Sequence, residues 1–522
     1  MSPPPSPSLL SPRPAIGFLI VFVLGVLGGF AFAPWNIAPA MLISLAAMLY
    51  LLERAVERGA TRKHAFALGW WWGLGNFLVG QFWIAEAFNF QAKMPAALGW
   101  FAVLLLSAIM ACYPGVSAAI ASRFKTGPGP RVLAFAGAWM LTEWLRGYLL
   151  SGFGWNPLGV VSLPLGELSQ LSALIGTLGL SGLIALTCYG LALLALRRTR
   201  MAMLLICPIL VGMVAPLPFI QPTRLTDVRL DIVQANIGQD EKYGPGAIEG
   251  AIRRYSALSP PPSNSPRLLI WPEAAIPDVL DELPGMRVRL ARHLVGPNDM
   301  FILGGLKALR NEEGYTTAAH NSMFVLGPEG GIRDRYDKTV LVPYGEYLPA
   351  RPLLEAIGLA RLAPGAIDFI PGTGPRTLTL PGYPDVGALI CYEVVYPEAA
   401  SSQPRPRWLL NLSNDAWFTN EGAEMHLAQA RMRSIEQGLP MARSTPTGIS
   451  AVIDPWGRVT AALGRHVKGR VIAMLPEPRA PTIFSRVGTP LPMGIAFFLI
   501  AAAFWLSSHA RKAPRQLERQ AA

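Results

Sequence analysis

The chain has 522 residues, 52% of them hydrophobic and 15% charged, with a mean hydropathy of +0.35 and a formal net charge of +12. That is too apolar for an ordinary soluble protein and long enough for more than one domain. A pI near 9.7 is what a nucleic-acid binder shows, but the placement of the basic residues excludes that reading.

A bilayer crossing takes roughly 20 mostly apolar residues. In chain order, such runs predict spans near 15–33, 36–52, 65–89, 96–122, 131–150, 172–196, 201–219 and 490–508. The second and seventh are marginal in length and carry prolines at or near their ends. Trp35, Trp70, Trp83, Trp100, Trp144, Tyr148 and Trp155 cluster near several ends, as interfacial belts do. The first run, despite "AFA" at 31–33, is longer than the roughly 7–15 residues of a signal-peptide core, so it reads as a retained span.

Basic residues occupy alternate connections. They are Arg13; Arg54, Arg58, Arg62 and Lys63; Arg123, Lys125 and Arg131; Arg197, Arg198 and Arg200; and Arg511, Lys512, Arg515 and Arg519 in the tail. The intervening connections hold only Lys93 and, at a span edge, Arg146. Residues 224–508 net only +1, so the excess is a positive-inside signal. It predicts both termini in the cytoplasm and the long segment between the seventh and eighth spans outside, in the periplasm of a bacterium. The expected organisation is a membrane domain over 1–223, an outward domain over 224–486, and a final span with a basic tail over 487–522. Within "EWLRGYLLSGFGWNPLG" (143–159), Glu143 and Arg146 are spaced to pair on a helix. Ionisable residues at a span are either a functional site or a structural ion pair, and the sequence leaves both open.

In the outward segment, 228–237, 267–273, 300–306, 321–327, 385–391, 407–414, 449–455 and 469–475 read as strands, and 245–258, 285–295 and 423–438 as helices. Strands interleaved with helices predict an α/β layered domain. No P-loop, GxGxxG or His/Cys metal spacing is present, so no metal and no cofactor is expected. The apolar segment 353–370 reads either as a lid dipping toward the bilayer or as a core helix and loop.

Three polar residues each follow a strand-like run: Glu273 closes "LLIWPE", Lys338 closes "IRDRYDK", and Cys391 closes "GALIC". Sites in α/β sheets collect at the carboxyl ends of strands. A thiolate is the nucleophile, so a cysteine needs a base and a positive neighbour. Glu273 can take the proton, and Lys338 can favour the thiolate and hold an oxyanion. An isolated cysteine in an exported domain is a reactive thiol or an inert small hydrophobe. Glu273 as a turn cap, or Lys338 as a partner of Asp334 or Asp337, are the plain alternatives.

Glu, then Lys, then Cys in this order resembles the nitrilase superfamily. The strings "VQANIGQDEKY", "WPEAAIPD", "DKTVLVPYGEYLP", "ICYEVVYPE", "NLSNDAWF" and "QARMRSIEQGLPMARSTPTGISAVIDPWG" resemble the apolipoprotein N-acyltransferase family over nearly the whole chain. The resemblance implies a polytopic α-helical membrane protein of about eight spans carrying an inserted nitrilase-like (αββα) domain. It implies Glu273 as general base, Lys338 as oxyanion stabiliser and Cys391 as nucleophile, exposed by the turn that follows. Glu346, Tyr392 and Glu393 match family residues near the thiol. Tyr243 stands where the family usually has tryptophan, which puts any indole-specific role in doubt. The implied reaction moves an acyl chain from a membrane phospholipid, through a cysteine thioester, to the N-terminal amine of a diacylglyceryl-modified apolipoprotein. The implied partners are those two substrates and the bilayer, with no nucleic acid, and the implied place is the bacterial inner membrane. A membrane-bound amidase using water as acceptor is the rival; a transporter or scaffold would need a degraded Glu–Lys–Cys set.

Overall fold

The computed structural model describes residues 14–90, 95–242, 244–262, 265–356 and 368–521. Eight α-helices among the described residues precede the first strand: α1 (Pro14–Gly29), α2 (Ala38–Glu57), α3 (Arg62–Gln81), α4 (Leu98–Met110), α5 (Cys112–Ala121), α6 (Pro128–Arg146), α7 (Ser172–Ala195) and α8 (Thr199–Val214). Among the described residues five helical stretches are long and apolar enough to cross a membrane: Ala38–Glu57, Leu98–Ala121, Leu168–Ala195, Thr199–Phe219 and Pro490–Ala510. The two runs read as marginal, in α2 and α8, are among them. The expected spans in α3 and α6 are not, and α1 is a shorter apolar helix. The reason lies in packing. A helix enclosed by other helices does not have to be apolar on every side. α6 buries Arg131, Glu143 and Arg146, and α3 packs Gly75 against α1 and Gly69 and Gly73 against α5. A Cβ on Gly75 would lie 2.2 Å from the Phe22 carbonyl oxygen.

The segment that follows folds as two stacked six-stranded sheets. Its elements are β1 (Leu225–Gln234), α9 (Ala247–Leu258), β2 (Arg267–Ile270), α10 (Pro284–Leu294), β3 (Met300–Arg310), β4 (Thr316–Leu326), β5 (Ile332–Asp337), α11 (Arg351–Ala356), β6 (Thr377–Leu378), β7 (Val386–Ile390), β8 (Trp408–Leu412), α12 (Asn420–Gln437), β9 (Met441–Ser444), β10 (Ser450–Ile453), β11 (Val459–Leu463) and β12 (Gly469–Pro476). A short α13 (Ile483–Val487) and the long α14 (Pro490–Ala521) complete the chain. The strand orders are β12-β1-β2-β3-β4-β5 and β11-β10-β9-β8-β7-β6. In each sheet the three strands β1-β2-β3 or β7-β8-β9 run parallel. β5 runs antiparallel to β4 and β4 to β3, so β5 points the same way as β2.

Apolar side chains alternating off the two inner faces form a core that includes Ile232, Ile270, Ile302, Ala388, Leu410 and Val452. α9 and α10 cover the outer face of the first sheet. α12 covers the outer face of the second, and the same continuous core runs on into α2, α6 and α7. The expected αββα layering is therefore present, with one helix layer wedged against the membrane helices. α7 breaks at Gly176 (φ +71°). The freed Thr177 N–H donates to Glu436 Oε1 of α12 at 2.7 Å, and the Thr177 hydroxyl donates to the same oxygen at 2.6 Å.

Candidate active site

Cys391 follows β7 directly, with φ +52°. That left-handed conformation is uncommon for a residue with a side chain and is held only where surroundings over-determine it. Three groups determine it here. Glu393, two residues on, accepts from the Ile390 N–H at 2.6 Å with one oxygen. With the other it accepts from Tyr336 OH (2.7 Å), Thr339 N–H (2.6 Å), Thr339 Oγ1 (2.8 Å) and Val340 N–H (3.1 Å). One carboxylate thus staples the Cys391 turn of the second sheet to the residues after Lys338 in the first. The third constraint is on the Cys391 carbonyl, which accepts from His426 Nε2 at 3.1 Å and from Asn411 Nδ2 at 3.4 Å.

Glu273 and Lys338 arrive from the first sheet, at the same edge, because β2 and β5 end there. Gly304 of β3 permits the turn "WPE": a Cβ at Gly304 would sit 2.7 Å from Glu273 Cα and 2.6 Å from the Ala274 nitrogen. The Lys338 ammonium donates to Glu346 Oε1 at 2.9 Å and lies 3.6 Å from Glu273 Oε1. Asn321 Nδ2 donates to both carboxylates, at 2.7 Å to Glu273 and 3.0 Å to Glu346, which ties the two carboxylates to each other. Glu346 Oε2 accepts from the Val342 N–H at 2.8 Å. Glu273 Oε2 has no hydrogen-bond partner among the described residues, so one lone pair of this carboxylate is free to take a proton.

The electrostatics follow from burial. Cys391 is 7% exposed, contrary to the expectation that its turn would expose it. The reason is that Tyr392, Glu393 and Val394 continue into a buried 3-10 turn rather than into solvent. Burial foremost, and then the Glu273 carboxylate, push the thiol up to about 12, while Lys338 pulls it down. The resting group is a thiol, and its ionisation needs proton transfer to a base. Lys338 is also buried, which by itself would lower its pKa, but Glu346 foremost and then Glu273 raise it well above the ordinary lysine value. It is a fixed cation.

Tyr392 turns away from this cluster. Its hydroxyl accepts from Tyr396 OH at 2.9 Å and its ring stacks on Trp155 at 6.2 Å and 17°. Trp155 belongs to the segment after α6, and the charges of α6 hold that segment. Arg146 NH1 donates to the Trp155 carbonyl at 2.7 Å, and the Leu158 N–H donates to Glu143 Oε1 at 2.7 Å. Glu143 and Arg146 are only loosely paired with each other, at 3.9 Å. Tyr243 lies outside the described residues, as do 357–367 of the segment read as a lid. Among the described residues no group of three or more His, Cys, Asp or Glu is arranged to hold a metal.

Reading the sequence missed Asn321, His426, Asp415, Arg443 and Lys242. His426 Nε2 carries the proton, because its partner is a carbonyl; Nδ1 accepts from Arg443 NH2 at 2.9 Å and lies 3.1 Å from Asp415 Oδ1, whose charge opposes the lowering of the ring's pKa. Asp415 accepts from Arg443 NH2 at 2.6 Å and from Ser413 Oγ at 2.7 Å. Burial first, and the Arg443 charge second, lower the His426 pKa, so the ring is neutral. The available signal was that His426 falls among the apolar positions of a helix in "EMHLAQARMRS", where an ionisable group needs partners from elsewhere in the fold.

A profile of the apolipoprotein N-acyltransferase N-terminal domain matches residues 24–190, and one of carbon–nitrogen hydrolases matches residues 229–480. The chain is 36% identical over 503 residues to a protein named apolipoprotein N-acyltransferase from Rhodopseudomonas palustris, covering 92% of this chain and 93% of that one. It is 37% identical over 521 residues to a protein of the same name from Bradyrhizobium diazoefficiens, covering 95% of each. Among solved structures, an amidase from Nesterenkonia sp. aligns with a TM-score of 0.34 and 20% identity, over 49% of this chain and 92% of that one.

Proposed function

The chain belongs to the apolipoprotein N-acyltransferase family, and from that premise we propose that it moves a fatty acyl chain from a membrane phospholipid to the N-terminal amine of a diacylglyceryl-modified apolipoprotein. Glu273 Oε2 takes the proton of the Cys391 thiol, and the sulfur attacks the ester carbonyl of the phospholipid. Lys338 faces the negative charge that develops. The carbon–oxygen bond breaks, the lysophospholipid oxygen receives the proton from Glu273, and Cys391 is left as a thioester. The acceptor amine then attacks that carbonyl and gives a proton to Glu273. The carbon–sulfur bond breaks, an amide forms, and the sulfur recovers its proton. Glu346 keeps Lys338 in place, and Glu393 keeps the nucleophile turn against it. Tyr243 is assigned to the substrate side of the site on family position alone. In this reading residues 1–223 and 487–522 lie in and at the inner membrane, and 224–486 faces the periplasm.

One observation carries the lipid part of this reading. The residue after the nucleophile, Tyr392, packs on Trp155 of the membrane-helix segment. A hydrolase of soluble substrates has no need to build its nucleophile turn against a helix bundle.

The test is the intermediate. Full-length protein incubated with phospholipid and no acceptor should carry a fatty acyl mass on the Cys391 peptide, labile to neutral hydroxylamine. A free-amine acceptor should discharge it to an amide, and an acceptor with a blocked amine should not. Steady release of free fatty acid in place of that adduct would make water the acceptor and overturn the assignment.

A further inference from the structure

Lys242 stands in the segment that leaves β1 at the sheet edge where β2 delivers Glu273 and β5 delivers Lys338. The segment is anchored: the Asn236 N–H donates to the Pro446 carbonyl at 2.9 Å, and Gln239 Oε1 accepts from Asn414 Nδ2 at 3.0 Å. Lys242 is 5% exposed, and its ammonium has no hydrogen-bond partner among the described residues. Glu273, and Cys391 once it is ionised, are the groups whose negative charge favours the Lys242 ammonium. Lys338, by contrast, is already committed to two carboxylates.

A buried ammonium with none of its N–H groups used is costly, and replacing it by an apolar side chain would ordinarily stabilise a fold. Its retention beside the reacting pair has an electrostatic reason. Glu273 and Glu346 bring two negative charges to the cluster and Lys338 brings one positive. Proton transfer from Cys391 to Glu273 moves a negative charge from carboxylate to sulfur and leaves the total unchanged. A second cation beside both atoms makes the cluster neutral at every stage of that transfer. We propose that Lys242 is this second cation, the counter-charge of the Glu273–Cys391 proton-transfer pair; the proposal rests on Cys391 being the nucleophile. Burial lowers the lysine to about 8, and Glu273 and Cys391 oppose that fall, so it is mostly charged at neutral pH. The other titratable groups acting on the sulfur are Lys338 and Asp415.

The experiment reads the thiol and needs no lipid. Full-length protein in detergent is treated with iodoacetamide from pH 6 to 9, and alkylation of the Cys391 peptide is followed by mass. Loss of a nearby cation raises a thiol pKa by about one to three units. Each unit lowers the thiolate fraction tenfold and raises its nucleophilicity about threefold. Lys242→Met should therefore alkylate about three- to thirtyfold more slowly at pH 7, where Lys242 is mostly charged, and Lys242→Arg should stay within about twofold of the unsubstituted protein. An unchanged alkylation profile in Lys242→Met overturns the proposal. So does a slow profile in Lys242→Arg, which would tie the effect to side-chain shape. Loss of the fold in both Lys242→Met and Lys242→Gln overturns it as well, because an unpaired buried charge should not be what holds the protein together. Failure of the phospholipid adduct with a lysine-dependent alkylation profile would sink the acyl donor and leave Lys242 standing.

Discussion

Each of Glu273, Lys338 and Cys391 ends an apolar or alternating run, and a polar residue at that place is visible without a structure. The residues that hold them are not visible in this way. Asn321 lies in the middle of a strand and His426 in the middle of a helix, and their meaning comes from partners 48 and 35 residues away. His426 shows the consequence. Its neutral ring pins the carbonyl of the strained Cys391, and burial with Arg443 holds its pKa below the ordinary histidine value. The unfolded chain takes up a proton near pH 6.5 that the folded ring refuses. Stability should therefore fall as pH drops through that value, by at most about 1.4 kcal/mol per unit from this group. His426→Gln can still donate to the Cys391 carbonyl but does not titrate. Melting temperatures in detergent between pH 7.5 and 5.5 should decline less steeply in that variant. An identical slope in both proteins would mean the histidine is not the group responsible.

At the scale of elements, the apolar runs long enough for a bilayer and the longer strands were legible, because each carries its own period. β6, β9 and β11 were not: "TL", "MARS" and "VTAAL" lack the run of large apolar residues that marks the equally short β2, β7, β8 and β10. The charge reading also took a buried arginine for part of a solvated connection. Arg131 was counted with the basic connection before α6, yet it lies inside that helix, 3% exposed. Its guanidinium donates to both Glu53 oxygens, at 2.7 and 2.6 Å, and Tyr189 OH donates to Glu53 Oε1 at 2.5 Å. Sequence cannot distinguish a solvated arginine from one that clamps α2, α6 and α7 together, since the partner is 78 residues away. Breaking such a buried pair from one side costs about 3–5 kcal/mol, while replacing both partners by apolar residues is often neutral. Glu53→Ala should lower the unfolding midpoint in detergent markedly, and the double variant Glu53→Leu with Arg131→Met should recover more than half of the loss. A double variant as unstable as the single would show that the clamp's value is not electrostatic.

For the whole molecule, the sequence predicted a membrane domain, an outward domain and a final span in series but could not show that the first two share a core. α12 packs on α7, Glu436 receives the N–H freed by the break at Gly176, and Trp155 stacks beneath Tyr392. The α12 contact involves the N-terminal part of α7, and the Trp155 contact the segment that leads into it. The opposite end of the bundle is basic: Arg198, after α7, meets Glu57 at the end of α2 at 2.6 Å, and Thr126 Oγ1 meets Ser507 Oγ of α14 at 3.1 Å. The basic connections therefore gather at one end and the two β-sheets at the other, an asymmetry from which the positive-inside tendency predicts an orientation. The expected outcome is open to direct labelling. In a background with Cys112 and Cys207 replaced by alanine, single cysteines are placed at the exposed positions Lys125, Thr199 and Glu313. A membrane-impermeant maleimide added to spheroplasts should reach the cysteine at 313 at once, and those at 125 and 199 only after the inner membrane is permeabilised. Cys391, 7% exposed, should contribute little background on that time scale. Immediate labelling at 125 and 199 with protection at 313 would place the Glu273–Lys338–Cys391 cluster in the cytoplasm. It could not then act on an exported acceptor.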